Sequence, residues 1–331
     1  MSTADTRAKA ILDWLTHSLS LNIVKFEIAS CDASFRRYFR VIHSQGQHIV
    51  MDAPPDKENI EPFIRVATLL KQAGLNVPQI YQQNLTQGFL LLEDFGSDCF
   101  LDQLNEENAT ALYCSAFSSL HQLHSDSSLS NSEFPSYNKA LLSRELTIFY
   151  DWFLKQCLAL SIPKNIQDNV NQILIASALE QPQTCVHRDF HCRNLMFLKE
   201  NSPGIIDFQD TVIGPITYDL VSLLRDCYIN WPEEKVLKWM TLYFHKITKS
   251  GLINTELETF TRWFDLMGLQ RHLKAIGIFS RLNLRDGKPD YLADIPRTLN
   301  YVSHICSKYT ELAEFNHYLI ETILPAYNSK K

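Results

Sequence analysis

The 331-residue sequence has no Cys-x-x-Cys pair among its eight cysteines, no apolar run long enough to cross a bilayer and no excess of positive charge. Each absence removes a class. Cysteines scattered at 31, 99, 114, 157, 185, 192, 227 and 306 indicate neither a zinc site nor a disulfide framework, and their thiols are expected to be reduced and mostly buried. A net charge of −6 offers a polyanion no attractive field, so nucleic acid is not expected as the main partner. The first twenty residues mix Asp5, Arg7, Lys9 and Asp13 with apolar positions, which reads as an amphipathic helix and not as a signal peptide. With neither leader nor membrane span in the pattern, cytoplasmic residence is the expectation. Repeats and low-complexity linkers are absent too, and no obligate protein partner is implied.

What is present is ordinary globular material: 45% hydrophobic and 21% charged residues, in a chain long enough for two lobes. Residues 21–52 are strand-rich, with Phe35–Ile42 and Gln47–Asp52 flanking Ser44-Gln45-Gly46, a hairpin turn signal. Ala53-Pro54-Pro55-Asp56 breaks the strand, and Asp56 is placed to cap a helix reaching Ala73. Val77–Tyr81 and Gly88–Glu93 read as two more short strands. From Leu101 onward the pattern turns helical, over Asn105–His124, Tyr137–Leu160 and Asn165–Leu179, with a β-rich island at Thr184–Asp210 and further helices after Ile216. The expected fold is α+β: a small β-rich N-terminal lobe over 1–96, a larger mainly helical C-terminal lobe over 97–331, and a hinge near 93–100.

The island holds the chemistry. His187-Arg188-Asp189-Phe190-His191-Cys192-Arg193-Asn194 is followed thirteen residues later by Asp207, in Gly204-Ile205-Ile206-Asp207-Phe208. Phosphoryl transfer from a nucleotide needs one group for the acceptor hydroxyl and oxygen ligands for Mg²⁺, and these residues supply both. Asp189 is the catalytic candidate, which accepts or orients the hydroxyl proton. Asn194 and Asp207 are the metal-ligand candidates. His187 is expected to brace the loop by hydrogen bonds. An Asp-x-x-x-x-Asn pair alone would be weak, but the short apolar runs Thr184–Val186, Leu195–Phe197 and Pro203–Ile206 deliver all three groups from strand ends.

His187-x-Asp189-x-His191-x-x-Asn194 with Ile206-Asp207-Phe208 resembles the signature of the aminoglycoside phosphotransferase-like kinases, relatives of the protein kinases. The resemblance implies a two-lobed protein-kinase-like fold, ATP as co-substrate and Mg²⁺. It also implies that Asp189 is the catalytic aspartate, that Asn194 and Asp207 bind the metal, and that Asp219 in Tyr218-Asp219-Leu220 braces the catalytic loop. Asp94-Phe95-Gly96 spells the protein-kinase metal motif but lies about a hundred residues before the catalytic loop, so it reads as hinge, where backbone groups of Glu93 and Phe95 meet the adenine. His121 and His124 lack a third ligand and read as one helix face.

The N-terminal lobe departs from the kinase pattern. No glycine-rich phosphate loop is present; Ser34 and neighbouring amides stand in its place. The strand expected to carry a phosphate-binding lysine reads Ile49-Val50-Met51-Asp52. Arg37 or Arg40 is the expected replacement, with Glu61 or Arg65 as its partner.

Ser34–Arg40, Met51–Pro55, Gly268–Lys274, Gly277–Leu282 and Arg285–Lys288 resemble the bacterial anomeric sugar kinases, which phosphorylate N-acetylmuramate and N-acetylglucosamine at the anomeric carbon in cell-wall recycling. Glu145 and Trp152, seven apart on one helix, suit a sugar acceptor, as does His191 in the loop. The cations Arg271, His272, Lys274 and Arg281 either meet the lactyl carboxylate of muramate or brace the helical lobe. Aminoglycosides or other small hydroxyl acceptors are the second reading, and a catalytically silent nucleotide-binding protein is the third.

Overall fold

Two units account for the chain in a computed structural model that describes residues 5–31 and 35–330. One comprises 1–98 together with 196–210, and the other 99–195 with 211–331. The sequence pattern placed a single boundary at 96/97; the contacts place it at 98/99 and assign 196–210 to the first unit.

In the first unit α1 (Thr6–Asp13) runs on as a π-helical turn to Ser18 and leads into β1 (Ile23–Cys31). The hairpin β2 (Arg37–His43) and β3 (Gly46–Asp52) closes through Ser44 and Gln45, in register from Arg37 opposite Asp52 to His43 opposite Gly46. Helix α2 (Glu61–Gln72) begins four residues later than a cap at Asp56 implies. Asn59 Oδ1, and not Asp56, accepts the Glu61 amide at 2.9 Å, because residues 54–58 form a separate turn in which Lys57 and Glu58 bond back to Pro54. Strands β4 (Ile80–Asn84) and β5 (Phe89–Glu93) complete an antiparallel sheet in the order β1-β2-β3-β5-β4. Alternation along these strands places Phe39, Val41, Val50, Phe89 and Leu91 on one face, where Ile11, Trp14 and Leu15 cover them.

The segment 196–210 joins this unit by specific bonds. Phe197 N–H donates to Asp98 O (2.8 Å), Ile205 N–H to Asn76 O (2.7 Å), and the Phe208 ring lies 4.8 Å from that of Phe63 in α2.

The second unit is helical: α3 (Phe100–Gln103), α4 (Ala109–Ser125), α5 (Ser127–Ser130), α6 (Lys139–Ile148), α7 (Lys164–Glu180), α8 (Tyr218–Leu224), α9 (Glu233–Lys249), α10 (Leu257–Asp286) and α11 (Ile295–Lys308) precede two short C-terminal helices. Strands β6 (Gln183–Val186) and β7 (Val212–Pro215) pair antiparallel and bracket the acidic island. The 30-residue α10 is the axis, packing against α6, α7, α8 and α11. Its long polar-interrupted stretch Asp265–His272 is buried throughout, so charged residues enter the interior and must be paired there. Arg225 does so, fully buried, with Asp265 at 2.8 Å and Glu233 at 2.6 Å.

Candidate active site

Strand β6 ends at Val186, and the chain then turns sharply: Arg188 adopts φ +77°, a left-handed conformation that non-glycine residues adopt at a cost. Asp219, in the first turn of α8, holds that turn. Its Oδ2 accepts the His187 amide at 2.6 Å and its Oδ1 the Arg188 amide at 2.9 Å. His187 Nδ1 accepts the Asp189 amide at 3.2 Å, which fixes that nitrogen as the unprotonated one. The loop also closes on itself, because His191 N–H and the Asn194 side-chain amide both donate to the Asp189 carbonyl, each at 3.0 Å. Asp226 anchors its middle by accepting the Cys192 amide at 2.9 Å. Asp189 and Asn194 are therefore displayed by backbone that has little freedom left.

Cations surround Asp189. Burial pushes its carboxyl up, but Lys274, His191, Arg271 and Arg188 outweigh burial and bring it down to about 2. His191 is itself lowered by burial. Asp219 goes the other way, pushed by burial up to about 7 against the pull of its two amides. A residue with pKa near 2 is a weak base and a well-defined anion, suited to orienting a hydroxyl more than to stripping it early.

The expected sugar contacts fare unequally. Glu145 is a correction: only 3% exposed, it spends Oε1 on Arg188 (2.5 Å) and Lys274 (3.0 Å), while Oε2 accepts the Tyr137 hydroxyl. Its two oxygens are engaged in organising the cations around Asp189. Trp152 no longer shares its face, because the helix widens into a π segment over Phe149–Cys157. Phe149, Tyr150, Phe153 and Leu154 take the buried side there, and Trp152 stays half-buried. His191 and Arg271 do come together, both felt electrostatically by Asp189 and both buried.

In the first unit, Ser34 lies outside the described residues. Arg37 and Arg40 have carboxylate partners, though neither is Glu61, and Arg65 is not among them. Arg37 bonds Asp52 at 2.6 and 3.0 Å and Asp5 at 2.6 Å, while Arg40 clasps Asp94 at 2.6 and 3.0 Å and the Gly96 carbonyl at 2.8 Å. Asp52, at the end of the strand read for a lysine, also holds Arg7 at 2.5 Å, so an aspartate gathers two arginines there. Glu93 accepts the Gln79 amide at 3.1 Å. The Phe95 ring lies against Gly204, where an added Cβ would come within 2.6 Å of it. Asp207 has φ +64°, and its Oδ1 accepts the Gln209 side-chain amide at 2.8 Å. Asp94, in the motif read as hinge, pairs with Arg40, and His124 Nδ1 lies 2.8 Å from the Tyr243 hydroxyl.

A model of the phosphotransferase enzyme family matches residues 25–246, two thirds of the chain. The chain belongs to that family. Among relatives of this member is a protein from Pseudomonas putida named N-acetylmuramate/N-acetylglucosamine kinase, 44% identical over 300 residues, covering 88% of this chain and 87% of that one. A Neisseria meningitidis relative of the same name is 41% identical, covering 89% and 90%. Among solved structures, a choline kinase from Streptococcus pneumoniae superposes with a TM-score of 0.65 at 14% identity, covering 90% of this chain and all of that one. An ADP-bound aminoglycoside phosphotransferase gives 0.60 at 17% identity, covering 91% and 99%. These likenesses establish the α+β, protein-kinase-like fold.

The structure shows two residues that the sequence reading did not single out, Arg188 and Asp226, which shape the loop and its charge and are signalled only by their adjacency to the motif. Lys274, read in the sequence as one of four cations, acts on Asp189. No three His, Cys, Asp or Glu gather as a metal cage among the described residues. Mg²⁺ takes one or two protein oxygens and completes its shell with phosphates and water. By residue type, the Asp207 carboxylate and the Asn194 amide oxygen are hard donors of the kind that ion takes.

Proposed function

We propose that this protein transfers the γ-phosphoryl group of ATP to the anomeric hydroxyl of N-acetylmuramate or N-acetylglucosamine, giving the sugar 1-phosphate, in the cytoplasmic recycling of peptidoglycan. The 44% identity to a kinase of that name across most of both chains carries the choice of substrate.

In this reading the Asp189 carboxylate accepts a hydrogen bond from the anomeric hydroxyl and orients its oxygen toward the γ-phosphorus. The new O–P bond forms as the bond from the γ-phosphorus to the β–γ bridging oxygen breaks, and ADP departs. An anomeric hydroxyl is more acidic than other sugar hydroxyls, so a carboxylate held near 2 suffices to take its proton late in the transfer. Asn194 and Asp207 would hold Mg²⁺, which would supply charge neutralisation on the phosphates. His187 and Asp219 keep the loop in place.

An aminoglycoside acceptor is a polycation and would call for an acidic pocket. Arg188, Arg271 and Lys274 around Asp189 make the opposite field. The decisive test is a panel of amino sugars, kanamycin, choline and homoserine, with phosphorus NMR of the products. A sugar 1-phosphate from either acetylated sugar is the expected result; phosphorylation of kanamycin with none of either sugar overturns the reading.

A further inference from the structure

Arg271 is 93% buried, yet its Nε and Nη1 have no hydrogen-bond partner among the described residues. The other two cations around Asp189 have an anionic partner. Arg188 and Lys274 both reach Glu145, and Lys274 also lies 3.2 Å from the Tyr218 hydroxyl, although Arg188 Nε is itself unpartnered. The Arg271 guanidinium lies 6.0 Å from the Tyr218 ring, and Cys227, Tyr218, Asp189 and Asp226 act on it through space. His191, equally buried, leaves Nδ1 unpartnered as well. A buried guanidinium donor with nothing to bond to costs more than an ordinary orphan, which is about 1–3 kcal/mol, so such donors are retained where a ligand or ordered water completes them.

The neighbouring acids do not meet the need. Glu145 is consumed by Arg188, Lys274 and Tyr137; Asp219 is turned to the loop amides, and Asp226 accepts the amides of Cys192 and Tyr228. Asp189, the remaining anion, faces four positive or protonatable groups at once. Two buried guanidinium donors of Arg271 are thus left without an acceptor beside the carboxylate of Asp189.

We propose that Arg271 is the oxyanion receiver of this site, its buried Nε–H and Nη1–H taking an anionic oxygen of the reacting pair. Resting on the kinase function proposed above, the shared chemistry has two sources: the lactyl carboxylate of N-acetylmuramate, or the oxygens of the phosphoryl group in transfer. Arg271 and Lys274 are three apart on α10, so one helix presents both the unmatched cation and the matched one.

The test is steady-state kinetics of Arg271→Gln and Arg271→Lys with each sugar, alongside melting curves of all three proteins with and without inorganic phosphate. If the acceptor carboxylate is the ligand, Arg271→Gln loses about a hundredfold in kcat/KM for N-acetylmuramate, mainly through KM, and N-acetylglucosamine is untouched. If phosphoryl oxygens are the ligand, kcat falls by a similar factor for both sugars with KM little changed. Arg271→Lys recovers part of either loss. Wild-type kcat/KM for both sugars in folded Arg271→Gln overturns the proposal. Should the Gln variant not fold, Arg271→Lys decides it: unaltered kinetics with both sugars likewise overturns it. Should the wild type phosphorylate neither sugar, the kinase reading fails and the phosphate arm still decides. Phosphate that raises the wild-type melting temperature but not that of the Arg271 variants upholds the receiver, and equal shifts overturn it.

Discussion

The Oδ1 of Asp219 sits 2.9 Å from the amide nitrogen of Arg188, the residue whose φ of +77° swings the chain toward Asp189. A left-handed arginine persists only where its surroundings over-determine it. Asp219→Asn keeps the size but puts an NH₂ group against one of two amide donors. The variant is expected to lose about 1–3 kcal/mol of stability. Its kcat is expected to fall at least tenfold, because Asp189 is displaced without being altered. Urea denaturation and initial rates check both, and a variant with wild-type kcat would mean that the loop does not depend on this carboxylate.

Gly277 on α10 meets the backbone of the preceding helix where α6 becomes π-helical. A Cβ there would lie 2.6 Å from the carbonyl carbon and oxygen of Ile148 and from the Phe149 nitrogen. Backbone cannot swing aside as a side chain can, so Gly277→Ala must push the helices apart, at about 1–3 kcal/mol. Gly268 on the same helix is the control. Its Cβ would meet Val221 Cγ1 at 3.5 Å, an ordinary contact, so Gly268→Ala is expected to be neutral or to gain up to about 1 kcal/mol from helix propensity. Opposite signs for two Gly→Ala changes in one helix, read from chemical denaturation, are the expected outcome.

The β2–β3 hairpin was legible because β-formers flanked Ser44-Gln45-Gly46, and the reaction class because Asp189, Asn194 and Asp207 stand in a spacing few other chemistries need. What escaped was long-range pairing. Nothing local in Arg37 or Arg40 says that Asp52, Asp5 and Asp94 will claim them, since those contacts depend on how strands and the N-terminal helix meet. Glu145 misled for a related reason: helical periodicity put it on a face with Trp152, and a π segment removed the premise. The boundary at 98/99 falls within the expected hinge, but the placing of 196–210 escaped because that segment is sequentially inside one unit and bonded into the other.

His124 and His272 are both fully buried, and burial lowers each to about 3. His124 has Tyr243 on Nδ1, and His272 has the Arg225 carbonyl on Nε2, leaving the second nitrogen of each ring without a partner. Below an unfolded pKa of about 6.5, the unfolded chain gains protons that the folded chain refuses. Stability from the two groups is thus complete above pH 6.5 and is lost progressively as pH falls toward 3. At pH 5.5 the pair is expected to cost about 3 kcal/mol relative to pH 7.5. Asp219, raised to about 7, gains stability as pH falls over the same window, so the test is the difference in urea midpoints between the wild type and His124→Gln at those two values. About half of the pair's cost is expected to vanish in the variant; identical pH dependence in both proteins would mean that the His124 ring is protonated in the fold.

Lys274 is, after burial, the first cause of the low pKa of Asp189. Its ammonium also lies 3.0 Å from Glu145, so replacing it changes the field at Asp189 through a residue that need not touch the substrate. In the wild type the Asp189 carboxylate is ionised at every pH above about 3, so the kcat/KM profile has no acid limb from this residue between pH 5.5 and 8. Lys274→Met removes one stabilising cation, the carboxyl titrates higher, and the active ionised fraction begins to fall at a pH where the wild type is still saturated. Stability does not imitate this effect: a depressed carboxylate contributes folding energy above its unfolded pKa of about 3.9 and loses it only toward 2, outside the assay window. The quantity to measure is the ratio of variant to wild-type kcat/KM against pH, in which the titration of the nucleotide cancels. A ratio that declines toward acid is expected, whereas a flat ratio would show that the Lys274 charge does not set the protonation of Asp189.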